Sequence, residues 1–169
     1  APRGLRWNRD TNSLVGAPRI PRTFRMRVII READGSRSVF RVPFPISPLP
    51  DTATGNFSGN VAREMNLNEE LGGMTRYRVA RSGACSGFVR MGRQRYPWRG
   101  RVTVPAVGDP SIEVTVNRRG MDPLNFQTIL ADDSQVSGWY QIEGTMDFAN
   151  VVGWQHTWNR RNRVPEKWS

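Results

Sequence analysis

The chemistry most available to this chain is that of the guanidinium group: 24 of its 25 basic residues are arginine, and the single lysine is Lys167. Arginine offers a fixed planar fork of donors that grips phosphate bidentately and stacks on flat rings, whereas lysine is a hydrated point charge. A GC-rich coding sequence would also raise arginine, but it would do so evenly. The observed spread is uneven. Residues 1–119 hold 21 basic and 9 acidic side chains, net +12; residues 120–159 hold five acids (Asp122, Asp132, Asp133, Glu143 and Asp147) and no Arg or Lys, net −5; residues 160–169 return to +3. Such a gap points to a molecule with a basic side and an acidic side. A net charge of +10 and a pI of about 11.3 point to a polyanionic partner.

Other chemistries have less to stand on. Gly83-Ala84-Cys85-Ser86-Gly87 has the Gly-x-Cys-x-Gly spelling found around some cysteine nucleophiles, and His156, the one histidine, is the only base available to it. A buried or turn cysteine is the plainer reading. One Cys and one His cannot assemble a four-ligand zinc site, and adjacent acids such as Asp132-Asp133, which could hold an ion at an interface, more often face water. No Gly-rich phosphate loop with its lysine and no obvious carboxylate pair for acid–base work appears. The expectation is a protein that is not an enzyme, with no cofactor and no metal. No apolar run approaches the ~20 residues of a membrane-spanning helix, and Ala1-Pro2-Arg3-Gly4-Leu5-Arg6 lacks the apolar core of a secretory signal. These features predict a soluble, unexported chain without a membrane partner.

The elements that must position the arginines can be read in outline. Residues 1–22 hold Arg3, Arg6, Arg9, Arg19 and Arg22 without regular apolar periodicity and read as an extended basic arm. A hairpin follows. Phe24, Met26, Val28 and Ile30 alternate with Arg25, Arg27, Ile29 and Arg31; beyond Asp34-Gly35, Phe40, Val42 and Phe44 alternate with Arg37, Val39, Arg41 and Pro43. With Asp34-Gly35-Ser36 as a three-residue loop, Ile30 faces Phe40, Val28 faces Val42 and Met26 faces Phe44. One face is then apolar, and the other gathers Arg25, Arg27, Arg31, Arg37 and Arg41 closely enough to grip neighbouring phosphates. The competing reading of that face is a solvated or intersubunit surface neutralised by the acids of residues 122–147.

Four prolines (Pro43, Pro45, Pro48 and Pro50) impose an extended crossover. A short helix is expected over 59–71, stopped by Gly72-Gly73, and a second from Asp122-Pro123 through Ala131. Short strands are expected around Tyr77 and Val79, over Phe88 to Met91, at Val102 and Val104 pairing with Ile112 to Val116 across Gly108-Asp109-Pro110, and from about Val136 to Val152. This pattern predicts a mainly β domain over 23–158, an antiparallel β-sandwich with the jelly roll as one form of it, two short helices, and a basic tail over 159–169. An α+β sheet with helices on one face is the alternative. Six tryptophans are present. Trp7, Trp98 and Trp158 neighbour arginines and suit stacking of unpaired bases, with a core or interface anchor as the other reading of Trp98; Trp139 and Trp154 read as core or interface anchors.

A basic arm from Arg3 to Arg22, followed by short strands, two small helices and proline-rich crossovers, resembles the organisation of coat proteins from small icosahedral RNA viruses and their satellites. The resemblance is one of architecture and spans the chain. It implies that Arg3, Arg6, Arg9, Arg19, Arg22, Arg25 and Arg27 face packaged single-stranded RNA and that subunit edges contact other copies. It also implies a place in the virion after assembly in the host cytoplasm. The sequence therefore predicts a self-assembling coat protein that packages nucleic acid through arginine–phosphate contacts. The alternative is an RNA-binding component of a cellular ribonucleoprotein, such as a ribosome-associated protein, with the same arginines and no shell.

Overall fold

The computed structural model describes residues 2–16, 18–105, 107–131 and 135–156. The chain divides into two compact units, Ala1–Leu49 and Pro50–Ser169. Among the described residues, twelve antiparallel strands make up nearly all of the regular structure.

The first unit holds two hairpins. Strands β1 (Leu5–Asn8) and β2 (Ser13–Gly16) pair within the segment expected to be an extended arm. Strands β3 (Phe24–Arg31) and β4 (Arg37–Phe44) form the second hairpin, as the alternation required. Its register is slid by two residues from the expected one: Val28 lies opposite Phe40, Met26 opposite Val42 and Phe24 opposite Phe44. The loop is three residues long but begins one position earlier, at Ala33. Glu32 N–H donates to Ser36 O at 3.0 Å, and Gly35 takes the left-handed position with φ +85°. Because a slide of two preserves side-chain parity, both faces keep the residues assigned to them. The Ser36 backbone, with its side chain second, hydrogen-bonds Asp34 and holds its carboxyl below its ordinary value.

The second unit is a closed barrel. Strands β5 (Gly55–Val61), β6 (Gly73–Val79), β7 (Ala84–Met91), β8 (Gln94–Thr103), β9 (Ser111–Arg118), β10 (Met121–Leu130), β11 (Gln135–Ile142) and β12 (Phe148–His156) each pair with the next, and β12 returns to β5. Antiparallel β structure was expected and is present, but the strands run up and down around one barrel in place of the expected β-sandwich, of which the jelly roll was one form. The closing contacts are uneven: β8 and β9 pair only at Val102–Ile112 and Thr103–Ser111, and the strands part beyond that end.

Helices are nearly absent from the barrel unit, which corrects two expectations. Residues 59–61 belong to β5 because Phe57, Gly59 and Val61 alternate into the core; the helix shrinks to α1 (Met65–Asn68), ended by left-handed Glu69 and Glu70. The Asp122-Pro123 signal sits at a bulge, not a helix start: the register shifts between Met121 and Leu124, after which Leu124, Phe126, Thr128 and Leu130 point inward and are essentially fully buried. The strand region expected from about Val136 to Val152 is two strands joined by a turn, in which Ile142 N–H donates to Asp147 O at 3.0 Å.

An eight-stranded barrel is just wide enough for side chains to fill. Here a column of rings fills it. Phe57 stacks on Tyr77 at 5.2 Å between centroids, Tyr77 meets Trp98 at 5.5 Å, Trp98 meets Phe126 at 5.3 Å, and Phe126 stacks on Tyr140 at 4.4 Å. Thr75 Oγ1 donates to Phe88 O at 3.2 Å and accepts from the Tyr140 hydroxyl at 2.9 Å, so both buried hydroxyls are satisfied. Burial raises both the Tyr77 and the Tyr140 phenol above their ordinary range. The wall closes tightly around this column only because inward positions are small where the strands crowd. A Cβ on Gly87 would collide with Tyr77 Cβ and Arg76 O, and one on Gly100 would collide with Val114 Cγ1.

Candidate nucleic-acid interface

The β3–β4 hairpin presents its expected arginines on one face. Arg27 is directly opposite Arg41, Arg31 is opposite Arg37, and Arg25 is opposite Pro43; all five guanidinium-bearing residues are exposed. Like charges facing each other across a ladder repel unless an anion lies against them. The arm arginines Arg3, Arg6, Arg9, Arg19 and Arg22 are also exposed, and Arg22 caps the Phe24 ring at 4.7 Å. Trp7 is open to solvent between Arg6 and Arg9. Trp98, by contrast, is buried in the barrel and cannot stack on a base. The basic tail over 159–169, with Trp158, lies outside the described residues, as do Asp132 and Asp133.

A second basic surface was not singled out from the sequence. On β6, β7 and β8 the inward positions are Tyr77, Val79, Cys85, Val89, Met91 and Trp98, so the alternate positions project outward. Those outward positions carry Arg76 and Arg78 on β6, Arg90 on β7, and Arg95, Arg99 and Arg101 on β8. The three strands contain six arginines and no Asp or Glu. Lateral pairing arranges them in rows: Arg90 beside Arg95; Arg76, Phe88 and Pro97; Arg78, Ser86 and Arg99. Rows on one face lie about 6.7 Å apart and strands about 4.8 Å apart. A shallow depression opens over the middle rows, walled by Arg76, Arg78, Arg95 and Arg99 with Ser86 and Phe88 at its floor.

Neutralisation from within the chain is slight. Among the described residues the one ion pair joins Arg81, in the β6–β7 turn, to Asp51 at 3.0 Å. Arg90 donates to Gly92 O at 3.2 Å, and the Arg95 guanidinium carbon sits over the Phe88 ring, 3.8 Å from its centroid. The alternation Arg76-x-Arg78 and Arg99-x-Arg101 is the local signal for this surface. Pro97 and Gly100 interrupt β8 as a strand pattern and hide it.

The expected acidic side is not a strand face. Asp122, Glu143 and Asp147 lie at the start of β10 and in the β11–β12 turn, where Asp147 accepts from Asn66 Nδ2 at 2.8 Å. Strands β11 and β12 carry no Asp, Glu, Lys or Arg, and expose Val152 and Trp154 with Trp139 half-buried beside them. The Cys85–His156 pair is not assembled. Cys85 points into the barrel on β7, where burial, opposed by a Gly100 backbone hydrogen bond and by Arg101, pushes its thiol up to about 11. His156 is on the outside of β12, three strands away, sharing a 2.6 Å hydrogen bond with Ser58 Oγ. Among the described residues no group of three or more His, Cys, Asp or Glu could hold a metal ion. No described helix is long and apolar enough to cross a membrane. Compared with protein-family models, with curated proteins and with solved structures, the chain matches none.

Proposed function

We propose that this chain binds the phosphate backbone of nucleic acid, with single-stranded RNA as the first candidate, and that it does so as a self-assembling coat protein. The observation that carries the binding is the barrel surface on β6, β7 and β8, six outward arginines without one carboxylate on those strands. At an effective Debye length of about 8 Å these groups feel one another, and a chain of phosphates laid across them relieves the repulsion and releases counterions. The five arginines of the β3–β4 hairpin offer a second surface of the same kind. The binding proposed is to the phosphate backbone and to stacked base planes, without sequence readout by a named residue.

The assembly half of the proposal rests on the shell architecture the sequence resembles and on charge. Many copies at +10 each need an internal polyanion to sit together. The second reading, an RNA-binding component of a ribonucleoprotein without a shell, shares the arginines and differs in assembly. Negative-stain imaging of the purified protein with its co-purified nucleic acid separates them. The coat reading predicts closed particles holding RNA. A discrete small complex that binds RNA sinks the shell and leaves the ribonucleoprotein reading standing.

A further inference from the structure

Among the described residues the apolar face of the β3–β4 hairpin is largely open, with Phe24, Met26 and Phe44 half-buried. Phe24, Met26, Val28 and Ile30 share it with Phe40, Val42 and Phe44, yet Val28, Ile30, Phe40 and Val42 are 37%, 45%, 49% and 42% exposed. A two-stranded ribbon is marginal in water by itself, and its stability depends on packing a hydrophobic face against something. The five arginines project from the opposite face, so whatever covers the apolar side receives no cation from the ribbon. That excludes an anionic lipid surface as the cover, because the headgroups would lie beyond reach of the guanidinium groups.

We propose that the cover is the same face of a second copy. The ribbon is self-complementary in volume. Its cross-strand rows run Phe24–Phe44, Met26–Val42, Val28–Phe40 and Ile30–Ser38, from bulkiest at one end to smallest at the other. A two-fold axis lying between two such ribbons, at right angles to the strands, sets each bulkiest row over the other's smallest. Phe44 then meets Ser38 and Phe24 meets Ile30, while Val42 meets Phe40 and Met26 meets Val28. The result is a two-layer, four-stranded sandwich with sheets about 10 Å apart and every arginine on an outer surface. Two eight-residue strands offer a flat face of about 26 by 10 Å, so the pair covers roughly 500 Å2 of flat area. Stand-alone dimers bury at least about 1,200 Å2 of accessible surface, so this contact is a weak one. In a shell, multiplicity supplies the rest. The inference gives the coat reading a defined pairwise contact, but it does not require RNA.

Sedimentation equilibrium in molar salt, after nucleic acid has been stripped, tests it, since salt dissolves arginine–phosphate contacts and leaves apolar packing in place. The wild-type chain should show a monomer–dimer equilibrium. Val28→Glu with Phe40→Glu should raise the dissociation constant more than a hundredfold, with near-ultraviolet circular dichroism showing that the barrel around Trp98 stays folded. Ile29→Glu with Val39→Glu, on the arginine face, and Trp154→Glu, on the barrel, should leave the dimer intact. A wild-type chain that stays monomeric up to millimolar concentration overturns the proposal, as does a dimer that survives the Val28/Phe40 pair or is dissolved by Trp154→Glu. RNA binding at low salt by a chain that fails this test would leave the functional reading untouched.

Discussion

The barrel wall shows two faces built on one plan. Strands β6 to β8 and strands β11 and β12 obey the same alternation, and their inward residues are equally apolar: Tyr77, Val89 and Trp98 on one side, Val136, Tyr140 and Val151 on the other. Folding sets the inward positions and leaves the outward ones free. On the first face those free positions hold six arginines; on the second they hold no formal charge at all. Since both faces close the same barrel, the difference is not a requirement of the fold. On the function proposed above, the first face meets a polyanion and the second an uncharged surface or solvent.

The comparison can be broken by removing what the faces share. Phe126 lies in the ring column between Trp98 and Tyr140. Phe126→Ala should cost about 3–5 kcal/mol in denaturant unfolding, with the transition of both faces moving together. A shift of one face alone would mean that the barrel is not one cooperative unit.

A smaller effect separates the inside of the wall from the outside under alkali. The Cys85 thiol is raised in the folded chain from about 9 to about 11, so the folded state holds its proton where the unfolded chain has lost it. Stability contributed by the neutral thiol is complete below pH 9 and is lost as the pH rises towards 11, and the buried phenols of Tyr77 and Tyr140 add to the loss from pH 10 upward. Cys85→Ala should flatten the slope of unfolding free energy between pH 9 and 10, and Cys85 should react slowly with thiol reagents at neutral pH. A thiol that reacts as fast as free cysteine would contradict its inward position.

The smallest effect lies on the arginine face. Arg90 and Arg95 are directly opposite on β7 and β8. Arg90→Gln should raise thermal stability by a few tenths of a kcal/mol at low salt and by nothing at high salt. Outward Gln127→Asn on β10 should show no such salt-dependent difference.

Much of this was legible in the chain itself. The apolar and arginine faces of β3–β4 follow from strict alternation, and even a register slid by two residues could not exchange them. The pairing of Val102 with Ile112 follows from the turn between them. Closure does not follow, because β12 pairs with β5 across about a hundred residues of sequence and no local pattern marks that partner. Strand β10 was hidden by Asp122-Pro123, a helix-start signal that the barrel uses as a bulge. The barrel arginines were hidden for a related reason: each strand shows only two or three of them, or one on β7, and they become a surface once β6, β7 and β8 lie side by side.

If the β6–β8 arginines contact phosphate, as proposed, the salt dependence of RNA binding must report it. The logarithm of the association constant for a single-stranded RNA should be plotted against that of salt concentration, for the wild type and for a variant with Arg76, Arg78, Arg95 and Arg99 changed to Gln. With about 0.7 released counterions per phosphate contact on a single strand, the variant's slope should be shallower by about 2.8 and its affinity lower at every salt concentration, while Trp154→Gln should match the wild type. A quadruple variant with the wild-type slope and affinity would contradict the claim.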